Sequence, residues 1–217
     1  MKAKDRRDHD LRRRKPSRLQ RRTSLIACEG DKLEPDYLHG LRRALRLEKE
    51  RVVIVPSGND TDPRNIIQRA LKKAQIEGQS FDFILCVIDR DSHPGFCEAQ
   101  RMVASHRLGK GGILKLIVSV PCFEVWMLLH LTDYSTAAFP SPDAARAKMK
   151  HILPGYTQMG PGLYSKLAPG QPQALAYAQR LKEHHRANGS GGNPSTDMPQ
   201  VWEILEKLSN EAKWPNP

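Results

Sequence analysis

The sequence predicts an α/β protein: a mainly parallel sheet of about four strands with helices on both faces, followed by a C-terminal helical extension. Three observations predict it. Short apolar runs rich in Val and Ile alternate with amphipathic helical stretches as far as residue 135, and such alternation implies right-handed crossovers between parallel strands. One run, FDFILCVIDRD at 81–91, is mostly apolar and ends abruptly in Asp89, Arg90 and Asp91, as a strand buried on both faces would. Beyond residue 135 the strand pattern stops and helical stretches between Gly/Pro loops take over. The chain therefore divides into a basic tail at 1–22, an α/β core at 23–135, and an extension at 136–217 packed on that core.

The elements follow in order. Residues 24–28 (SLIAC) form a first strand, closed by Glu29 and by Gly30, which permits a sharp turn. Pro35 suits a first helical turn, and Tyr37, Leu38, Leu41 and Leu45 keep helical spacing to about Leu47. Residues 51–55 (RVVIV) form a second strand. Asp62 and Pro63 start a helix, an N-cap acceptor before a residue that needs no donor, and it runs to Gly78. The third strand is the one ending in Asp89. A helix carrying Phe96, Met102 and Val103 follows, the glycines at 109–112 interrupt, and 113–119 form a fourth strand. Pro121 then opens a strongly apolar helix from Cys122 to His130. Residues 144–152, 173–186 and 198–212 read as helices, and 188–196 (NGSGGNPST) as the most flexible stretch. Asn193, Pro194, Ser195 and Thr196 read as an N-cap for the last helix.

Charge is unevenly spread. Of 35 Lys/Arg and 24 Asp/Glu, residues 1–22 hold eleven and three, a net of +8 out of the total of +11. A tail so basic, with Arg12, Arg13 and Arg14 at its centre, either recruits nucleic-acid phosphates without sequence preference or only solubilises. No apolar run reaches the roughly 18 residues of a membrane span, and the charged N-terminus lacks the apolar segment of a secretory signal, so a cytoplasmic protein is expected. Cys28, Cys86, Cys97 and Cys122 have no CxxC spacing, which leaves free thiols and no zinc site.

The candidate chemistry lies in the carboxylates at the strand ends. Glu29 ends the first strand, and Asp89 and Asp91 end the third. If the two strands lie near each other, three carboxylates meet at one edge, where like charges raise each other's pKa unless a cation compensates. Mg²⁺, or Mn²⁺, takes such oxygen ligands and stabilises the charge of a phosphoryl transition state. Glu29 could instead act as general acid or base. Glu34 and Glu124, each in the first turn of a helix, either extend this constellation or simply complement the helix dipole. Arg90, His93 and Lys166 are candidate phosphate contacts. His130 reads as a core histidine, and His184 with His185 as a solvated pair.

CEGDKLEPDYLHGL, VIDRDSHPGF, PCFEVWMLLHL and NPST together resemble the RloB-like proteins of bacterial defence loci, from about Ser24 to Leu208. The first two also resemble the Toprim pattern of topoisomerases, primases and OLD-family nucleases, an acid–Gly after the first strand and DxD after a later one. The resemblance implies a Toprim-like core with Glu29 as catalytic acid or base and Asp89 and Asp91 as Mg²⁺ ligands. It implies a small nuclease acting with an AAA/ABC-type ATPase encoded nearby, in abortive phage defence. Leu33 and Val120 depart from the family's usual Thr and Asn and leave the acids in place. This chain has no GxxxxGK[ST] loop, so any ATPase is a partner.

The expected function is thus metal-dependent phosphodiester cleavage of DNA or RNA, with a homodimer unremarkable and no membrane partner. Two alternatives remain open: a DxD enzyme handling a metal-bound diphosphate, such as a nucleotide-sugar or phosphotransfer enzyme, and a non-catalytic nucleic-acid-binding adaptor or sensor.

Overall fold

The computed structural model describes residues 21–58, 60–78, 80–90, 94–189 and 192–213. Arg12, Arg13, Arg14, Asp91 and His93 lie outside them, and so does the expected tail except for its last two residues.

Four parallel strands, β1 (Ser24–Cys28), β2 (Val52–Val55), β3 (Phe83–Asp89) and β4 (Ile113–Val120), form the sheet, with a two-residue antiparallel strand β5 (Ser195–Thr196) on its edge. The order is β2-β1-β3-β4-β5. The chain leaves β1 toward one edge and then crosses back, so β1 and β3 flank the point where the winding reverses. In open α/β sheets that point opens a crevice beyond the carboxyl ends of the strands, where ligands bind.

Strand alternation sorts the apolar side chains into two layers. Leu25, Ala27, Ile84, Cys86 and Ile88 pack with α2 (Pro63–Glu77) and α3 (Phe96–Ser105). Ile26, Cys28, Leu85, Val87 and Ile117 face the other way. There they share a core with α1 (Leu33–Ala44), α4 (Glu124–Leu131), α5 (Pro142–Ile152), α6 (Gly162–Leu167), α7 (Gln171–Asn188) and α8 (Met198–Lys213). The helices beyond residue 136 therefore complete the sheet's own core. Burying Tyr37, Leu38 and Leu41 of α1 in it stabilises by about 1.5–3 kcal/mol per side chain. No helix among the described residues is long and apolar enough to cross a membrane.

The helix starting at Asp62 forms as its sequence demands: the carboxylate accepts from Arg64 N at 2.9 Å, and Gly78 closes the other end in a left-handed conformation. Three details differ from the sequence expectation. The first helix stops at Ala44, short of Leu47. Arg46 takes φ 55°, Arg46 N donates to Arg43 O, and Leu47 N donates to Arg42 O at 3.0 Å. These are the two bonds of a Schellman turn, and Leu47 is buried as its apolar contact, so apolar spacing continues past the end of the helix. The short helix α6, in a Gly/Pro-rich stretch, was not expected.

Asn193, Pro194, Ser195 and Thr196 do more than cap. Asn193 Oδ1 accepts from Phe139 N at 3.1 Å and its Nδ2 donates to Phe139 O at 2.8 Å. Ser195 and Thr196 pair with Val120 and Ser119, and Thr196 Oγ1 accepts from Met198 N at the start of α8. The end of the stretch read as flexible is thus fixed on both sides.

Candidate functional site

β1 and β3 are neighbours in register, Cys28 opposite Val87. Glu29 N donates to Val87 O at 3.0 Å, and Glu29 Oε2 accepts from Asp89 N at 2.8 Å. The two acids expected to meet across these strand ends do meet. The turn after β1 is held from the next loop, where Ser57 Oγ and Gly58 N both donate to Asp31 Oδ1, at 2.8 and 2.6 Å. Arg69 of α2 donates to Cys28 O at 3.2 Å and also to Ser57 O.

Asp89 falls in the same alternation as Leu85 and Val87, so it faces the layer containing α1 and α4. Each of those helices brings a glutamate from its first turn. Glu34 is only 6% exposed and its carboxylate lies against Gly30; a Cβ added there would stand 2.0 Å from Glu34 Oε2. The Gly30 backbone N–H favours the ionised form of that carboxylate. Glu124 is 5% exposed and accepts from Tyr156 Oη at 3.0 Å. Glu29, Glu34, Asp89 and Glu124 thereby form one acidic cluster in the crevice.

The electrostatics follow from that crowding. Burial first, then Glu34, Glu29 and Glu124, push the Asp89 carboxyl well above the usual carboxylate range, and Arg146 offsets only part. Burial also pushes Glu34 up, with Glu124 adding to it, while the N–H groups of Glu34 itself and of Gly30 pull it back. Burial and the same glutamates raise their neighbours: Glu34 acts on the Cys28 thiol, and Glu124 on the Cys122 thiol and the Tyr156 phenol.

The facing cation is Arg146 of α5. Its Nη2 is 3.9 Å from Asp89 Oδ2, its Nε is 3.7 Å from Glu124 Oε1, and its Nη1 donates to Asp143 Oδ1 at 3.1 Å. Neither Arg146 nor Tyr156 stood out in the sequence. Both come from the helical extension, and only packing brings them to acids at least twenty residues earlier in the chain; a cation every fourth residue on α5, at Arg146 and Lys150, was the sole local signal.

Among the described residues, four carboxylates face the half-exposed Arg146 guanidinium, and carboxylate oxygens are the donors that a hard divalent cation takes. Among the described residues no three His, Cys, Asp or Glu side chains are already arranged as a ligand set. Asp91, the third member of the expected trio, lies outside those residues.

The other expected positions separate from the cluster. Arg90 is exposed, its guanidinium 5.6 Å from the Phe96 ring centroid, and it lines a different cavity with Lys182, His185, Ser195 and Thr196. Lys166 is exposed on α6 and makes no ion pair with the four carboxylates among the described residues. His130 is a buried core residue, as its place in an apolar helix suggested. Its Nδ1 lies 2.8 Å from Trp126 O, and burial lowers its pKa.

The family model for RloB-like proteins matches residues 24–207. The chain belongs to the RloB-like family. The four elements that carry the acidic cluster, and α5 with Arg146, all lie inside the RloB-like match. No curated protein and no solved structure matches the chain.

Proposed function

We propose that this RloB-like protein is a Mg²⁺- or Mn²⁺-dependent nuclease that cleaves phosphodiesters. One observation carries the reading: Glu29, Glu34, Asp89 and Glu124 converge at the winding reversal of a parallel sheet, with the partly exposed Arg146 facing Asp89 and Glu124. Asp89, with Asp91 two residues further along the chain, would hold the metal, which when bound supplies charge neutralisation at the phosphoryl group. Glu29 is the acid or base of the reaction, oriented by the Asp89 amide. Glu34 braces the Gly30 turn, and Tyr156 fixes Glu124 in the cluster. The family assignment supports a role in phage defence by abortive infection, together with an ATPase partner, since this sequence carries no P-loop.

The test is incubation of the full chain with plasmid, single-stranded DNA and tRNA in Mg²⁺ or Mn²⁺. EDTA, Glu29→Gln and Asp89→Asn serve as controls. Cleavage lost in all three controls is the expected result. Metal binding without cleavage of any substrate would turn the reading toward a nuclease silent without its partner. Neither cleavage nor metal binding would sink the enzyme in favour of an adaptor.

A further inference from the structure

We propose that Arg146 and Lys150 of α5 form the phosphate-binding subsite of this protein, taking a phosphodiester of a nucleic-acid strand into the cavity beside the acidic cluster. The inference rests on the nuclease reading and adds the residues that hold the substrate. The cavity has a volume of about 320 Å³ and is lined by Arg146, Ala147, Lys150, Gly155, Tyr156 and Thr157, among others. Arg146 and Lys150 are one helical turn apart, so they share one face of α5, and both line the cavity.

Arg146 joins this cavity to the acids. Its approaches of 3.9 Å to Asp89 and 3.7 Å to Glu124 exceed the 2.7–2.9 Å or so of a seated charge-assisted hydrogen bond. Asp143, which takes its Nη1, is itself exposed, so this bond is readily exchanged. The guanidinium is attracted to the cluster but keeps most of its five donors, the fork that matches two phosphate oxygens. Tyr156, in the cavity wall, ties Glu124 down at 3.0 Å, so the arginine faces a fixed carboxylate and not a competing mobile one.

Charge makes such a subsite necessary. A polyanionic strand is repelled by four clustered carboxylates, and an adjacent pair of cations sharing one cavity restores a favourable path into the crevice. A phosphate on Arg146 lies beside Asp89, where the chemistry is proposed.

The experiment is fluorescence anisotropy of the full chain with a short fluorescein-labelled single strand of DNA. It is run in EDTA, where nothing is cleaved, across a salt series. Arg146→Ala and Lys150→Ala are each expected to weaken binding about tenfold, the loss of a charged hydrogen bond, and to lower the salt slope by about 1. Arg146→Lys should recover the slope but only part of the affinity. Lys182→Ala, in the separate cavity, is the comparison variant. Mn²⁺ affinity, read by electron paramagnetic resonance, should hold or rise in Arg146→Ala because a competing cation is gone. Unchanged strand affinity and slope in both alanine variants would overturn the subsite, as would a joint collapse of strand and Mn²⁺ binding. AMP that binds as tightly as the strand, with the same dependence on Arg146, would overturn the strand assignment in favour of a free nucleotide. Strand binding that needs Arg146, in a protein that neither cleaves any substrate nor binds Mn²⁺, would retain the subsite while the nuclease reading fails.

Discussion

Replacing Asp89 with Asn should make the metal-free protein more stable, although Asp89 stands at the centre of the proposed chemistry. Asn keeps the shape of the side chain and removes a charge that three carboxylates repel and one arginine attracts. Two unit charges about 4 Å apart at an effective dielectric near 20 interact by about 4 kcal/mol. Arg146 at 3.9 Å offsets only part of the repulsion, and less than its distance suggests because it is 47% exposed. Solvent screening reduces every such interaction, so we expect a net gain of about 1–3 kcal/mol at neutral pH. In a chain of this size that raises Tm by roughly 2–4 °C per kcal/mol.

The pH dependence has a definite sign. The folded-state pKa of Asp89 lies above its unfolded value, so on raising the pH the unfolded chain releases its proton first. Between the two values the fold binds more protons than the unfolded state, and stability falls as pH rises from about 4. Glu34 acts in the same direction, so the Asn variant should show a shallower fall and not a flat line. Calorimetry in EDTA across this range reads both quantities. Mn²⁺ should reverse the ranking, because a ligand stabilises only the form that binds it. An Asn variant melting at or below the wild type at neutral pH in EDTA would refute the account of the cluster.

Two further outcomes test the fold around it. Gly40→Ala should cost about 1–3 kcal/mol by overpacking, since the new methyl would stand 2.4 Å from Tyr164 Cβ and 2.8 Å from Pro161 O where α1 meets α6; denaturant unfolding measures it. Thiol titration of the native protein should find one fast group, the exposed Cys97. Cys28, Cys86 and Cys122 should react only on unfolding, because all are buried and burial pushes each up, Cys86 to about 12.

What the sequence showed and what it hid divide along the range of the interactions involved. β1 and β3 are legible because each is a short apolar run buried on both faces, and α2 because Asp62 and Gly78 are local stop signals. Glu29 and Asp89 were legible as strand-end acids, and the sheet order makes them neighbours. Glu34 and Glu124 were ambiguous because a glutamate in a first turn fits a helix dipole equally well; packing α1 and α4 on one face of the sheet decides where they point. Arg146 and Tyr156 carried no local mark, since their roles exist only once α5 and the turn after it fold back over the sheet. β5 escaped for a similar reason. Two residues show no periodicity, and their partners are Ser119 and Val120 from a much earlier part of the chain.

That short strand also bears on how the protein is made. Until Ser195 and Thr196 arrive, β4 is the outermost strand of the parallel sheet, and it begins with Ile113, 48% exposed even in the finished fold. An uncovered edge rich in Ile, Leu and Val is a template for pairing with other chains. A ribosome adds residues at roughly 5–20 per second, so the seventy-odd residues between the two strands leave the Ser119–Val120 end of that edge open for seconds. Ser195 and Thr196 pair only with Val120 and Ser119, so what waits for them is the carboxyl end of β4, the end that borders the acidic crevice.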